Sequence, residues 1–97
     1  MESKYIVIPQ KSFERKLHFF YKKDRDLYTL IIRVMNKLEA NPFDRLLRTH
    51  KVNSVKEKGA YSSRVAGNIR IIWIIQGSQI ILLLDVGGHS GSRKVYK

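Results

Sequence analysis

Cysteine is absent and the three histidines, at 18, 50 and 89, are scattered, so any chemistry must come from oxygen and nitrogen groups rather than from thiolates. No Asp or Glu lies three or four residues after any histidine, and the spacing fits no metal site. The residues that invite chemistry are basic. Arg64 and Arg70 flank an Ala66-Gly67-Asn68 step, and His89 follows Gly87-Gly88. Two guanidiniums and an imidazole suit a phosphate ester: the cations stabilise negative charge, and the imidazole moves a proton. Such an inventory calls for no cofactor and no metal.

Loop length decides whether the two arginines share a face. A two-residue Gly67-Asn68 loop would put Arg64 and Arg70 on opposite faces of the hairpin. A three-residue Ala66-Gly67-Asn68 loop puts them directly across from each other and sends Val65, Ile69, Ile71, Trp73 and Ile75 to one apolar face. The longer loop is therefore expected. Like charges opposed across a strand pair are destabilising, which suggests an anion between them; pairing with a carboxylate is the structural alternative. A Gly77-Ser78 turn would set Asp85 opposite Arg70, so Asp85 is expected to orient that arginine. His89 is the best acid or base, carried to the same sheet edge by the two glycines.

The remaining candidates are contacts. Arg93 and Lys94 in the tail, and Lys51 beside His50 in a basic stretch, can touch a phosphate backbone, although a solvated loop is the plainer reading of the last two. Tyr96 has two readings of equal standing: stacking on a base or bonding a phosphate, and packing on the sheet. His18, on a helix, has no assigned role.

These residues need a frame. Tyr5 to Ile8 reads as a first strand closed by Pro9. Phe13, Leu17, Phe20 and Tyr21 repeat with helical spacing up to about Lys23. Asp24 or Asp26 can cap a second helix with the stripe Tyr28, Ile31, Ile32, Met35 and Leu38, stopped at Asn41-Pro42. Residues 43–59 read as a basic connecting loop, and Tyr61 to Val65, Ile69 to Ile75 and Ile80 to Val86 as a meander. The expected fold is α+β: an N-terminal strand and an antiparallel helical hairpin packed on a mostly antiparallel four-stranded sheet, in a single domain spanning 1–97.

Composition narrows the partners. Nineteen Lys and Arg against eight Asp and Glu give a formal net charge of +11 on 97 residues, and such a chain needs an anionic counterpart. Nothing at Met1 to Gln10 resembles a signal peptide, and Ile69 to Val86 is broken by Arg70 and the Gln76–Gln79 turn. Neither secretion nor a membrane span is expected, and the sequence reads as cytoplasmic.

Thr49-His50-Lys51-Val52, Tyr61-Ser62-Ser63-Arg64-Val65, Asn68-Ile69-Arg70-Ile71-Ile72-Trp73, Asp85-Val86-Gly87-Gly88-His89 and Val95-Tyr96, in this order, resemble the RelE/ParE toxins of type II toxin–antitoxin systems. Ser62 stands where some members carry a lysine. The resemblance implies an mRNA endoribonuclease, acting in many members on translated mRNA at the ribosome, and an antitoxin, expected as an acidic or partly disordered segment. It matches Arg70 to the family's most characteristic catalytic arginine, Arg64 to a basic position on the preceding strand, His89 to a basic or histidine position after the last core strand, and Tyr96 to the tyrosine of a C-terminal Val-Tyr pair; Arg64, His89 and Tyr96 are expected to join Arg70 in catalysis. RNA supplies its own nucleophile, the 2′-hydroxyl. Two alternatives stand beside this reading: a ParE-like DNA gyrase inhibitor, and a catalytically inert RNA- or antitoxin-binding module.

Overall fold

The computed structural model of the chain describes residues 5–53 and 58–88. Strand β1 (Ile6–Pro9) leads into helices α1 (Lys11–Lys23) and α2 (Arg25–Ala40), then a 3-10 turn (Arg45–Leu47), strand β2 (His50–Lys51) and the meander β3 (Tyr61–Ala66), β4 (Ile69–Gln76) and β5 (Ile80–Gly87). The expected α+β architecture is present, but the sheet has five strands, in the order β1-β5-β4-β3-β2. The extra strand is β2, which lies inside the stretch expected to be a loop. It pairs antiparallel with β3, His50 opposite Ser62 and Lys51 opposite Tyr61. β1 pairs parallel with β5, and the other neighbours are antiparallel.

Asp24 alone joins the helices. Its backbone N–H donates to the Phe20 carbonyl, closing α1, and its side chain accepts from the Leu27 N–H, opening α2. The one-residue joint keeps the two helices in contact with each other. Both then cover the same side of the sheet, α1 chiefly over β5 and α2 over β3 and β1.

Phe13 and Phe20 of α1 and Leu27, Ile31, Val34 and Leu38 of α2 bury themselves against Ile71, Trp73, Ile81, Leu83 and Val86 of the sheet. Burial of such side chains contributes about 1.5–3 kcal/mol each and supplies most of the drive to fold. The buried stripe of α2 is rotated from the expected one. Leu27 and Val34 are buried, while Tyr28, Ile32 and Met35 are half-buried on its flank.

Two β-bulges set the sheet register. At the first hairpin Ala66 pairs with Ile69 around a two-residue Gly67-Asn68 turn, and a shift at Val65 then brings Arg64 opposite Arg70. The arginines face each other as expected, through a short turn plus a bulge. The second bulge falls between β4 and β5: Trp73 pairs with Leu83 but Ile72 with Asp85, leaving Leu84 as the extra residue. Arg70 is consequently opposite Gly87.

Candidate phosphate-binding site

Direct partners across an antiparallel pair share a face, so the register gives the membership of the site. The face away from the helices carries Arg70 and Ile72 of β4, Arg64 and Ser62 of β3, and His50 of β2. Arg64 is exposed, and its Nε leans on the Gly67 carbonyl at 3.4 Å. Arg70 is half-buried, and its Nη1 is buried without an acceptor among the described residues. A buried donor left unpaired costs about 1–3 kcal/mol, and more when charged. Together with a like charge directly opposite, it marks a place where an anion would relieve the chain.

His50 is the residue that sequence reasoning undervalued. Its Nδ1 lies 3.1 Å from the Arg48 carbonyl, an acceptor, so Nδ1 is the nitrogen that donates there and Nε2 is the one left to meet a substrate. Arg48 itself adopts a left-handed conformation, φ 50°, which swings the chain from the 3-10 turn into β2. A hydroxyl relay holds this segment in place. Trp73 Nε1 donates to Ser63 Oγ at 2.8 Å, Ser63 Oγ is 2.6 Å from Thr49 Oγ1, and Thr49 Oγ1 donates to the Pro42 carbonyl at 2.7 Å. The two fixed ends require Ser63 to donate to Thr49. A two-residue strand has no periodicity to detect, and its only signal was the β-branched Thr49 and Val52 on either side of it.

Other expected members fall elsewhere. Asp85 does not orient Arg70, because the bulge at Leu84 sets it opposite Ile72, and it forms an ion pair with Lys16 of α1 at 2.8 Å. Lys51 pairs with Tyr61, whose ring stacks on Trp73 on the helix side, so the sheet separates Lys51 from the arginines. His89, Arg93, Lys94 and Tyr96 lie outside the described residues. Gly88, the residue before His89, is packed so closely on the hairpin turn that a Cβ there would come within 3.2 Å of Asn68 Nδ2. No cluster of three potential metal ligands occurs among the described residues, and no helix among them is long and apolar enough to cross a membrane.

No protein-family model and no curated protein sequence matches the chain. Solved structures do. The chain is similar to a YoeB/ParE toxin from Agrobacterium tumefaciens, with a TM-score of 0.74 at 18% identity over 87% of this chain and 98% of that one. It is similar to an archaeal RelE–RelB complex from Pyrococcus horikoshii OT3, with a TM-score of 0.70 at 20% identity over 92% and 99%. It also resembles a YoeB–YefM complex from Staphylococcus aureus, with a TM-score of 0.71 at 13% identity over 91% and 100%. Element order, two helices on one side of the sheet and near-complete mutual coverage all agree: the chain has the RelE/ParE toxin fold.

Proposed function

We propose that this protein is the toxin of a type II toxin–antitoxin pair and cuts mRNA without a metal, acting on translated messages at the ribosome. The observation that carries this is the arginine pair. Arg64 and Arg70 are opposed on the face of the sheet away from the helices, and Arg70 has a buried guanidinium nitrogen without an acceptor among the described residues. Scission of RNA through its 2′-hydroxyl builds negative charge on the phosphorus, and two preorganised cations stabilise that charge as it develops.

Proton transfer then needs a base and an acid. His50 is the base in this reading: its Nδ1 is taken up by the Arg48 carbonyl, which leaves Nε2 for the substrate, and its position opposite Ser62 puts it on the arginine face. His89 is the acid for the departing 5′-oxygen. It immediately follows Gly88, and the preceding Gly87 is paired with Arg70. Tyr96, Arg93 and Lys94 are the tail contacts to substrate, and Lys51 contacts the backbone only from the far side of the edge strand. Asp85 has no part in the chemistry.

The partner is an antitoxin that neutralises a chain of net charge +11, and the complexes with antitoxins among the structural neighbours support it. Primer extension on mRNA from cells briefly expressing the protein tests the whole reading. Discrete cuts inside translated regions, lost with Arg70→Ala and His89→Ala, are expected. Arrested growth with intact messages would overturn the reading in favour of a target such as gyrase.

A further inference from the structure

Helix α1 buries Phe13 and Phe20 and turns a second face to solvent. On that face Lys11, Arg15, His18 and Lys22 are exposed and follow one another three or four residues apart, so they form one stripe along the helix. Two open grooves lie along it. One, of about 430 Å³, is lined by Lys11, Glu14, Arg15 and His18. The other, of about 330 Å³, is lined by Glu14, Leu17, His18, Tyr21 and Tyr28, and so runs on to α2. Glu14 and His18 belong to both, which makes the grooves one track with a cationic end and an aromatic end.

The aromatic end is arranged in advance. The Tyr21 ring, 43% exposed, meets the Tyr28 ring edge-on at 5.0 Å, and the Arg25 guanidinium carbon lies 3.9 Å from its centroid. Arg25 is held there by its own Nε, which donates to the Tyr21 carbonyl at 3.0 Å. Rings and a guanidinium fixed beforehand offer a stacking surface that loses little freedom when a planar group lands on it. At the other end, Lys11, Glu14 and Arg15 are exposed and in no ion pair among the described residues.

We propose that this track binds an unpaired nucleotide of an RNA strand, its base stacked at Tyr21 and Tyr28, an exocyclic amino group donating to Glu14, and phosphates at Arg15 and Lys11. Cations that follow a backbone beside an aromatic platform are the general means of holding single-stranded nucleic acid. The stretch from Lys11 to Tyr21 spans about 15 Å of helix at about 1.5 Å per residue, which suits a base with more than one phosphate better than a lone nucleotide. An acidic peptide would meet the cations, but it would bring its carboxylates to Glu14 and leave the rings unused. Because α1 covers the side of the sheet opposite to the arginine pair, this site is separate from the one assigned to the scissile phosphate. It goes beyond the cleavage reading and does not depend on it.

A nuclear magnetic resonance titration of the full chain tests the proposal, with a short 2′-O-methyl oligoadenylate whose blocked 2′-hydroxyl prevents cleavage. Amide signals of residues 11–28 report the helix track, and those of residues 62–72 report the arginine face separately. The helix signals should shift and saturate. Tyr21→Leu, or Lys11→Gln together with Arg15→Gln, should weaken that binding about tenfold and leave the response of the arginine face unchanged. Thermal unfolding checks Tyr21→Leu, and the exposed Lys11 and Arg15 pair decides the matter if that variant does not fold. An oligouridylate of the same length has no amino group for Glu14 and should bind the track about fivefold more weakly. Glu14→Gln, whose amide donates as well as accepts, should narrow that difference. Helix signals that stay in place, variants that bind like wild type, equal binding of the two oligonucleotides, or an oligoglutamate peptide that shifts the same signals as tightly each overturn the proposal. So does adenosine 5′-monophosphate binding as tightly as the oligonucleotide, which would make a free nucleotide the ligand. Saturating shifts on the helix track alongside a wild-type protein that leaves every message intact would overturn the enzyme and leave this site in place.

Discussion

Arg64 and Arg70 are direct cross-strand partners, two like charges held on one face of the sheet by the bulge at Val65. An arrangement that opposes folding and has no carboxylate in its register is expected to serve something outside the chain. Arg64→Gln should leave stability unchanged or raise it by about 0.2–1 kcal/mol in urea denaturation, because opposed like charges disfavour the sheet by that order. The same substitution should slow RNA cleavage.

Arg70 should matter more. Arg70→Ala is expected to reduce single-turnover cleavage by about 10²- to 10³-fold, the usual loss when one preorganised stabiliser of developing charge is removed. Arg70→Lys keeps the charge but not the planar fork, and should recover only part of the rate. Equal rates for wild type and Arg70→Ala would remove the arginine from the chemistry.

His50→Gln tests the base. Glutamine retains size and polarity but cannot take a proton, so the rate should fall by about 10²- to 10⁴-fold while RNA affinity, read by filter binding, stays within about twofold. A parallel loss of affinity and rate would instead make His50 a binding residue.

The hydroxyl relay from Trp73 to Pro42 should be worth more than its exposed neighbours. Ser63→Ala strands the indole N–H in a fully buried position and should cost about 1–3 kcal/mol by denaturant midpoint. Thr49→Val releases β2 from the same relay, and amide exchange at His50 and Lys51 should then quicken relative to β4.

Asp85 and Lys16 should couple with each other and Asp85 with Arg70 not at all. A double-mutant cycle on Asp85→Asn and Lys16→Met is expected to give a coupling of about 0.5–1 kcal/mol, fitting a pair that is partly exposed. Cleavage by Asp85→Asn should equal that of wild type.

The sequence carried the large elements because their signals are long. Two apolar stripes with helical spacing and the seven-residue run Ile69 to Ile75, rich in β-formers, leave little choice of α1, α2 and β4. The facing arginines were legible too, since that register puts Val65 on the same side as Ile69, Ile71 and Trp73. The misplacement of Asp85 has a single cause: nothing local distinguishes Leu84 from its neighbours as the residue that bulges, and one extra residue moves everything beyond it by one position. β2 escaped notice because it is defined by what it pairs with. His50 became a member of the site only once Ser62 stood opposite it, a relationship held between segments that no local pattern records.

The parallel pairing of β1 with β5 carries a consequence for the birth of the protein. Ile6 is synthesised 74 residues before its partner Ile80 (80 − 6) and can pair only when Ile80 is made. Between the two lie both helices and most of the sheet, so the nascent chain must hold β1 unpaired while those elements are made, a long-range contact of the kind that closes late. Ile6 and Ile8 therefore cannot come to lie beside Leu82 on a partial chain.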